Sequence, residues 1–407
     1  MKKCFSLLAA LSLSLWACNK SDNGGAEKDT PLQTGVSAEL VRTVTATELK
    51  QLSAVAGIEN FISGDVKIWK AEYNTSCKGE AVRASGVFVL PATVRPTVPT
   101  VVYCHGTVSR NGEPSYTATT NIGSEVGLAS AIAAVFNCAV IAPDYIGYGV
   151  SAAVKHPYVH GETLGNATLD FIRAYIEHSE KTLNTTVSRE VVCVGYSEGG
   201  YAAVALHKAI QAAESGIHVR KTYAGAGPYD QENFIREMLT HDSDLAANHL
   251  SSYLWVLSVY KDYMGYSRPY DRIYSEADNA IFSQGSYDFG YMKEYSGINR
   301  NPQQLFRADF AAEIENGADT ELLTIVRQNS LVSFVPTDSL ILFHSEADSW
   351  VYVSNTNSAY SAMKSAGAPV RRVIVPQSEH KDHSAAAADF LEFAFRNAMS
   401  TGAIAGN

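Results

Sequence analysis

Gly195-Tyr196-Ser197-Glu198-Gly199 puts one hydroxyl where it could act as a nucleophile. The apolar run 190–194 precedes it and reads as a strand; 200–208 follows and reads as a helix. A serine on so sharp a strand-to-helix turn is lifted clear of the sheet, and glycines two residues either side leave room where side chains would collide. The backbone N–H of Glu198, at the helix start, then faces any oxyanion that forms at the hydroxyl. This is the equipment of acyl transfer.

A serine hydroxyl is a weak nucleophile at neutral pH. It needs an imidazole to take its proton and a carboxylate to hold that imidazole. Where a serine turn of this kind is used, the acid and then the histidine follow it in the chain, each on a loop after a strand. The run 340–343 is apolar and is followed by His344-Ser345-Glu346-Ala347-Asp348. Asp348 is the chosen acid, with Glu346, nearer the strand, as its competitor. The last strand-like run, 370–375, leads to His380 and His383 ahead of the closing helix 385–399. Spacing alone leaves both imidazoles open. His380 lies at a common loop distance, whereas His383 sits against the helix start behind a capping Asp382. His-x-x-His could also suggest a metal, but no third ligand at useful spacing accompanies it, so no metal is expected. The second oxyanion donor falls to the Thr107 N–H in His105-Gly106-Thr107, after the buried strand 98–104, with His105 as a loop former.

These groups must be carried by a framework. The runs 66–73 and 81–90, joined by Ser76-Cys77-Lys78-Gly79, form a hairpin-like start. Strands at 98–104, 138–142, 190–194, 222–227, 340–343 and 370–375 then alternate with helices at 124–136, 164–179, 200–208 and 385–399. That alternation predicts an α/β fold with a mostly parallel central sheet and the opening pair as its antiparallel edge. The rhythm breaks over about 229–336. This interval carries ten tyrosines between Tyr229 and Tyr295 and apolar runs of helical length at 234–239, 249–259, 305–314 and 321–328. It reads as a helical cap whose inner aromatic face forms a substrate pocket, with most of the tyrosines serving its own core.

Met1-Lys2-Lys3, the apolar run 5–16 and Ala17-Cys18 read as a secretory signal, too short to span a membrane. Leu15-Trp16-Ala17-Cys18 is similar to a bacterial lipobox, which implies a signal peptide over 1–17, lipidation of Cys18, a flexible tether over 18–36 and a catalytic domain over 37–407. The protein is then expected as a cell-envelope lipoprotein, membrane-anchored and facing the periplasm or the cell surface. Losing Lys2 and Lys3 with the signal takes the formal charge from −10 to −12; with no basic tract, nucleic acid is excluded as a partner. Cys104, Cys138 and Cys193 lie in or beside apolar strands and read as buried hydrophobes; with Cys77 they show no C-x-x-C spacing, and no disulfide connectivity is readable.

From about residue 60 the chain resembles the secretory lipase-like α/β-hydrolases, the group of Candida antarctica lipase A-type lipases and bacterial lipoprotein esterases. The resemblance is carried by Tyr73-Asn74-Thr75, Gly79-Glu80 and the run 84–91, and by His105-Gly106-Thr107. It continues in Pro143-Asp144-Tyr145 with Gly147 and Gly149, in 195–200, in Gly225-x-Gly227-Pro228-Tyr229-Asp230, and in His344 with Asp348 and Val351. Asp382-His383-Ser384 ahead of an alanine-rich helix is similar too, and it favours His383 as the base. The resemblance implies an α/β-hydrolase fold and a serine hydrolase cleaving small-molecule, lipid or carbohydrate esters through Ser197, Asp348 and His383, without a cofactor. Two residues depart from the group's pattern. Ser345 stands where glycine is common, and Glu198 stands where glutamine or glycine is usual; a carboxylate beside Ser197 would disfavour anionic acyl groups. Two other functions fit the same residues: a serine exopeptidase on this fold, and a non-catalytic lipoprotein that binds a ligand.

Overall fold

Continuous valine-rich runs and one long alternating hairpin supply the strands of a single sheet. The computed structural model describes residues 33–53, 58–93, 96–109, 125–290 and 296–404. Contacts divide the chain into Met1–Leu32 and Gln33–Asn407. The first unit lies outside the described residues and takes with it the signal 1–17, Cys18 and most of the 18–36 tether.

The elements of the second unit run β1 (Ser37–Val44), α1 (Ala46–Ser53), β2 (Val66–Cys77), β3 (Glu80–Pro91), β4 (Val98–Cys104), α2 (Glu125–Phe136), β5 (Ala139–Pro143), α3 (Gly161–Lys181), β6 (Val187–Tyr196), α4 (Glu198–Ala212) and β7 (His218–Gly225). There follow α5 (Gln231–Thr240), α6 (Ala247–Asp262), α7 (Glu276–Gln284), α8 (Pro302–Leu305), α9 (Ala308–Glu315), α10 (Thr320–Asn329), β8 (Ser339–Ser345), α11 (Val353–Ser365), β9 (Val370–Val375) and α12 (His383–Thr401). The sheet order is β1-β2-β3-β5-β4-β6-β7-β8-β9. Pairing is antiparallel through β1-β2, β2-β3 and β3-β5, and parallel from β5 to β9.

Helices cover both faces, so β4 and β5 are buried at every residue. Successive side chains of β3 show the division: Phe88 joins α3 and α4 in one apolar cluster, while Val87 and Val89 join α1, α2 and α12 in the other. On the α3 face Phe88 stacks on Phe171 at 4.8 Å and meets Tyr175 edge-on at 5.2 Å. Truncating such an aromatic to alanine typically costs about 3–5 kcal/mol.

The β2–β3 hairpin turns on Lys78 and Gly79, both at positive φ (54° and 78°), a geometry that glycine tolerates and that matches strand twist. Two expectations need correction. The antiparallel edge is β1, outside the hairpin, and not β2; a register shift between Leu40 and Arg42 breaks its alternation and hides it in the sequence. The expected helix over 305–314 is two helices, because Phe306 pairs with Tyr274 as an isolated bridge and Arg307 N donates to Ile273 O. Among the described residues, helices α5 to α10 lie between β7 and β8, and Tyr229, Tyr253, Tyr260, Tyr266 and Tyr274 are buried there.

Candidate active site

Ser197 joins β6 to α4 with φ 59° and ψ −125°, a conformation that costs a non-glycine residue about 1–3 kcal/mol. Its surroundings hold it there: its N–H donates to Gly225 O at 2.8 Å, and its carbonyl accepts from Tyr201 N at 3.1 Å. A Cβ on Gly195 would stand 2.1 Å from Gly199 O, one on Gly199 2.1 Å from Cys104 O, and one on Gly200 2.2 Å from Gly225 O. Glycine is required here because three backbone segments meet, at φ values open to any residue.

His383 is the first residue of α12, and Asp382 caps that helix by accepting from Ala385 N at 2.8 Å. The His383 ring bridges two of the selected groups: Nε2 is 2.9 Å from Ser197 Oγ and Nδ1 is 2.6 Å from Asp348 Oδ2. Asp348 Oδ1 accepts from the N–H groups of Trp350 and Val351 at 2.9 and 3.0 Å. His344 Nε2 lies 3.3 Å from Asp348 Oδ2 and 2.7 Å from Val351 O, with Nδ1 2.7 Å from Thr356 Oγ1. Burial pushes the Asp348 carboxyl up, but its contacts with His344 and His383 outweigh that and hold it well below the usual carboxylate range. An ionised Asp348 fixes the proton on His383 Nδ1 and leaves Nε2 free to accept from Ser197.

The competing residues lie elsewhere. Glu346 is exposed and accepts from Gln377 N at 2.9 Å, tying the loops after β8 and β9 together. His380 is exposed at a left-handed turn (φ 51°). No group of three or more His, Cys, Asp or Glu able to hold a metal occurs among the described residues. Cys77, Cys104, Cys138 and Cys193 are buried.

Thr107 leaves β4 beside the serine turn, where a Cβ on the preceding Gly106 would stand 3.5 Å from Tyr196 O. Its Oγ1 shares a hydrogen bond with Tyr158 OH at 2.9 Å. His105 is buried, with Nδ1 2.7 Å from Gly106 O and Nε2 3.2 Å from Asp144 O, which shapes the loop. The Glu198 N–H opens α4. Its side chain is buried, with Oε1 2.7 Å from His156 Nε2.

Aromatic rings surround this centre. Trp350 lies 5.5 Å from His383 and 5.2 Å from His249, ring to ring, and its indole donates to Ser252 Oγ at 2.9 Å. Trp255 stacks on Tyr158 at 4.4 Å. Burial first, then the neighbouring His241, lowers the His249 imidazole to about 4, so it stands neutral at pH 7. His156, Tyr158 and His249 escape sequence reasoning because no spacing links them to Ser197. His344 is visible in its motif, but nothing in the sequence gives it a task.

No protein-family model matches the sequence, and no curated protein matches it. Solved structures do. A candidate hydrolase from Legionella pneumophila is 20% identical with a TM-score of 0.75, over 88% of this chain and 95% of that one. The rice cell wall degrading esterase LipA from Xanthomonas oryzae is 21% identical with a TM-score of 0.71, over 86% and 93%. Candida antarctica lipase A is 14% identical with a TM-score of 0.56, over 83% and 77%. At such identities the likeness is one of architecture, and by that architecture the chain has the α/β-hydrolase fold.

Proposed function

We propose that the chain is a serine hydrolase of carboxylic esters, of esterase or lipase type. One observation carries the reading: a single imidazole within hydrogen-bond distance of both Ser197 Oγ, at 2.9 Å, and the Asp348 carboxylate, at 2.6 Å. Ser197 Oγ attacks the ester carbonyl as His383 Nε2 takes its proton. The oxyanion is held by the N–H groups of Thr107 and Glu198, each such donor being typically worth about 10²–10³ in rate. His383 then protonates the leaving alkoxide, which departs as the alcohol and leaves an acyl-Ser197. Water attacks that ester with His383 again as base, releasing the acid and restoring the hydroxyl. Asp348 keeps the imidazole in the working tautomer and offsets its charge while it is protonated.

The substrates would be small-molecule, lipid or carbohydrate esters received against Trp350, Trp255 and Tyr158, beneath a cap formed by about 229–336. The enzyme would be exported, cleaved after Ala17 and anchored through lipidated Cys18, the tether 18–36 holding the domain 37–407 off the membrane.

A fluorophosphonate probe tests the first reading: wild type should be labelled and Ser197→Ala should not. Turnover of nitrophenyl esters beside aminoacyl amides separates esterase from exopeptidase, and amide without ester turnover would overturn the ester assignment. Absent labelling would leave the ligand-binding lipoprotein. The intact mass of the mature N-terminus tests the anchor, and an unmodified Cys18 would end that claim.

A further inference from the structure

We propose that the tripeptide His156-Pro157-Tyr158 is a two-point clamp that positions both halves of the oxyanion pocket, an inference that rests on the ester-hydrolase reading for the identity of that pocket. His156 holds residue 198 and Tyr158 holds residue 107, the two residues whose N–H groups would receive the oxyanion. The first grip is a buried imidazole–carboxyl hydrogen bond: His156 Nε2 lies 2.7 Å from Glu198 Oε1, with side chains 0% and 1% exposed. His156 Nδ1 lies 2.6 Å from Ile146 O, so both ring nitrogens are engaged and the imidazole has no freedom to turn. Burying such a pair brings little stability, because apolar residues of similar volume usually do as well. Its location, one residue after the nucleophile, gives it a different use. Glu198 Oε2 is buried with no hydrogen-bond partner among the described residues, a further cost of holding the side chain there.

The second grip is the hydrogen bond between Tyr158 OH and Thr107 Oγ1 at 2.9 Å. Tyr158 is 6% exposed, and its ring lies flat on Trp255, 4.4 Å away at 15°. The two grips are joined to each other, since Tyr158 N donates to His156 O at 2.9 Å and Pro157 restricts the backbone between them. The loop behind them closes tightly as well: a Cβ on Gly147, at φ 100°, would stand 2.5 Å from His156 Cα. Thr107 lies on the loop after β4 and Glu198 is the first residue of α4, so the two donors come from different elements. An oxyanion pocket works only when its donors are fixed in advance to within about 0.5 Å. The clamp supplies that fixity from one short segment. Its residues touch no reacting atom; they are positioning residues.

Tyr158→Phe, Glu198→Ala and Glu198→Gln in the full chain test the clamp. Each is read by kcat and KM on nitrophenyl butyrate, by affinity for an alkyl boronic acid, and by Tm. Loss of positioning lowers kcat by about 10- to 100-fold in Tyr158→Phe and Glu198→Ala, with KM within about twofold and boronate affinity falling in step with kcat/KM. Glu198→Gln, which can still hydrogen-bond to His156, stays within about threefold of wild type. Unchanged kcat and boronate affinity in both disruptive variants would overturn the clamp. So would a raised KM at constant kcat in Tyr158→Phe, or a loss that follows Tm with Glu198→Gln no better than Glu198→Ala. The boronate forms its tetrahedral adduct on Ser197 whatever the natural acyl compound is. It therefore reads the clamp even if wild type turns over no ester, a result that would count against the ester reading alone.

Discussion

Tyr196 donates its phenol hydroxyl to the main-chain carbonyl of His383 at 2.7 Å. The residue before Ser197 thus holds the backbone of His383, and their rings lie 5.1 Å apart. Tyr196→Phe keeps the ring and removes the tether. Leaving a part-buried carbonyl without its donor costs about 1–3 kcal/mol at most. The expected result is a kcat reduced by about 3- to 10-fold with KM unchanged. Steady-state kinetics check it, and a kcat equal to wild type would count against a role for this bond.

Asp348→Asn keeps the shape of the acid but offers His383 Nδ1 an amide in place of a charge. The ring is then free to take the wrong tautomer. By analogy with other triads, kcat falls on the order of 10⁴-fold while a fluorophosphonate still reaches Ser197 slowly. A loss of less than about tenfold would mean that the Asp348 charge, 2.6 Å from His383 Nδ1, is not what orients that imidazole.

The same carboxyl gives stability a pH dependence. Burial raises it, the His344 and His383 contacts lower it further, and the net folded value lies below its ordinary 3.8. A group depressed by folding contributes stability above its unfolded pKa and loses it as pH falls through that value towards the folded one. Urea unfolding of wild type and Asp348→Asn should therefore differ by a constant amount above about pH 5 and converge below about pH 4. A gap as wide at pH 3 as at pH 7 would contradict this assignment.

Gly199→Ala tests the crowded turn. The new Cβ would meet Cys104 O at 2.1 Å and His105 O at 2.7 Å, both backbone atoms that cannot swing aside. Overpacking of this kind costs about 1–3 kcal/mol or more. The expected outcome is a lowered Tm together with lost activity, since the displaced atoms belong to the loop that carries Thr107. A variant with wild-type melting and turnover would show that the turn relaxes freely.

The candidate residues were more legible in the sequence than their surroundings. Ser197 and Asp348 could be selected because each sits where a strand signal gives way to a loop or a helix signal, and such junctions are local; His383 was preferred to His380 only on the resemblance, since spacing left both open. The hairpin, β4 to β9 and the long helices followed from periodicity for the same reason. β1 was missed because an edge strand with a register shift loses its alternation, and the split at Phe306 because its cause, Tyr274, lies 32 residues away in sequence. The His156–Glu198 pair escaped because a buried contact between a loop and a helix start leaves no periodic trace. Glu198 looked anomalous beside Ser197, yet nothing nearby in sequence announced the histidine that it meets.

The helices α5 to α10 connect two strands that are bonded to each other, with Lys221–Gly225 of β7 in register with Ser339–Phe343 of β8. Their segment can therefore lengthen, shorten or be rebuilt over a base that does not shift, at about 0.6 kcal/mol of closure entropy for each doubling of length. That tract can be rebuilt while Ser197, Asp348 and His383 keep their places after β6, β8 and β9.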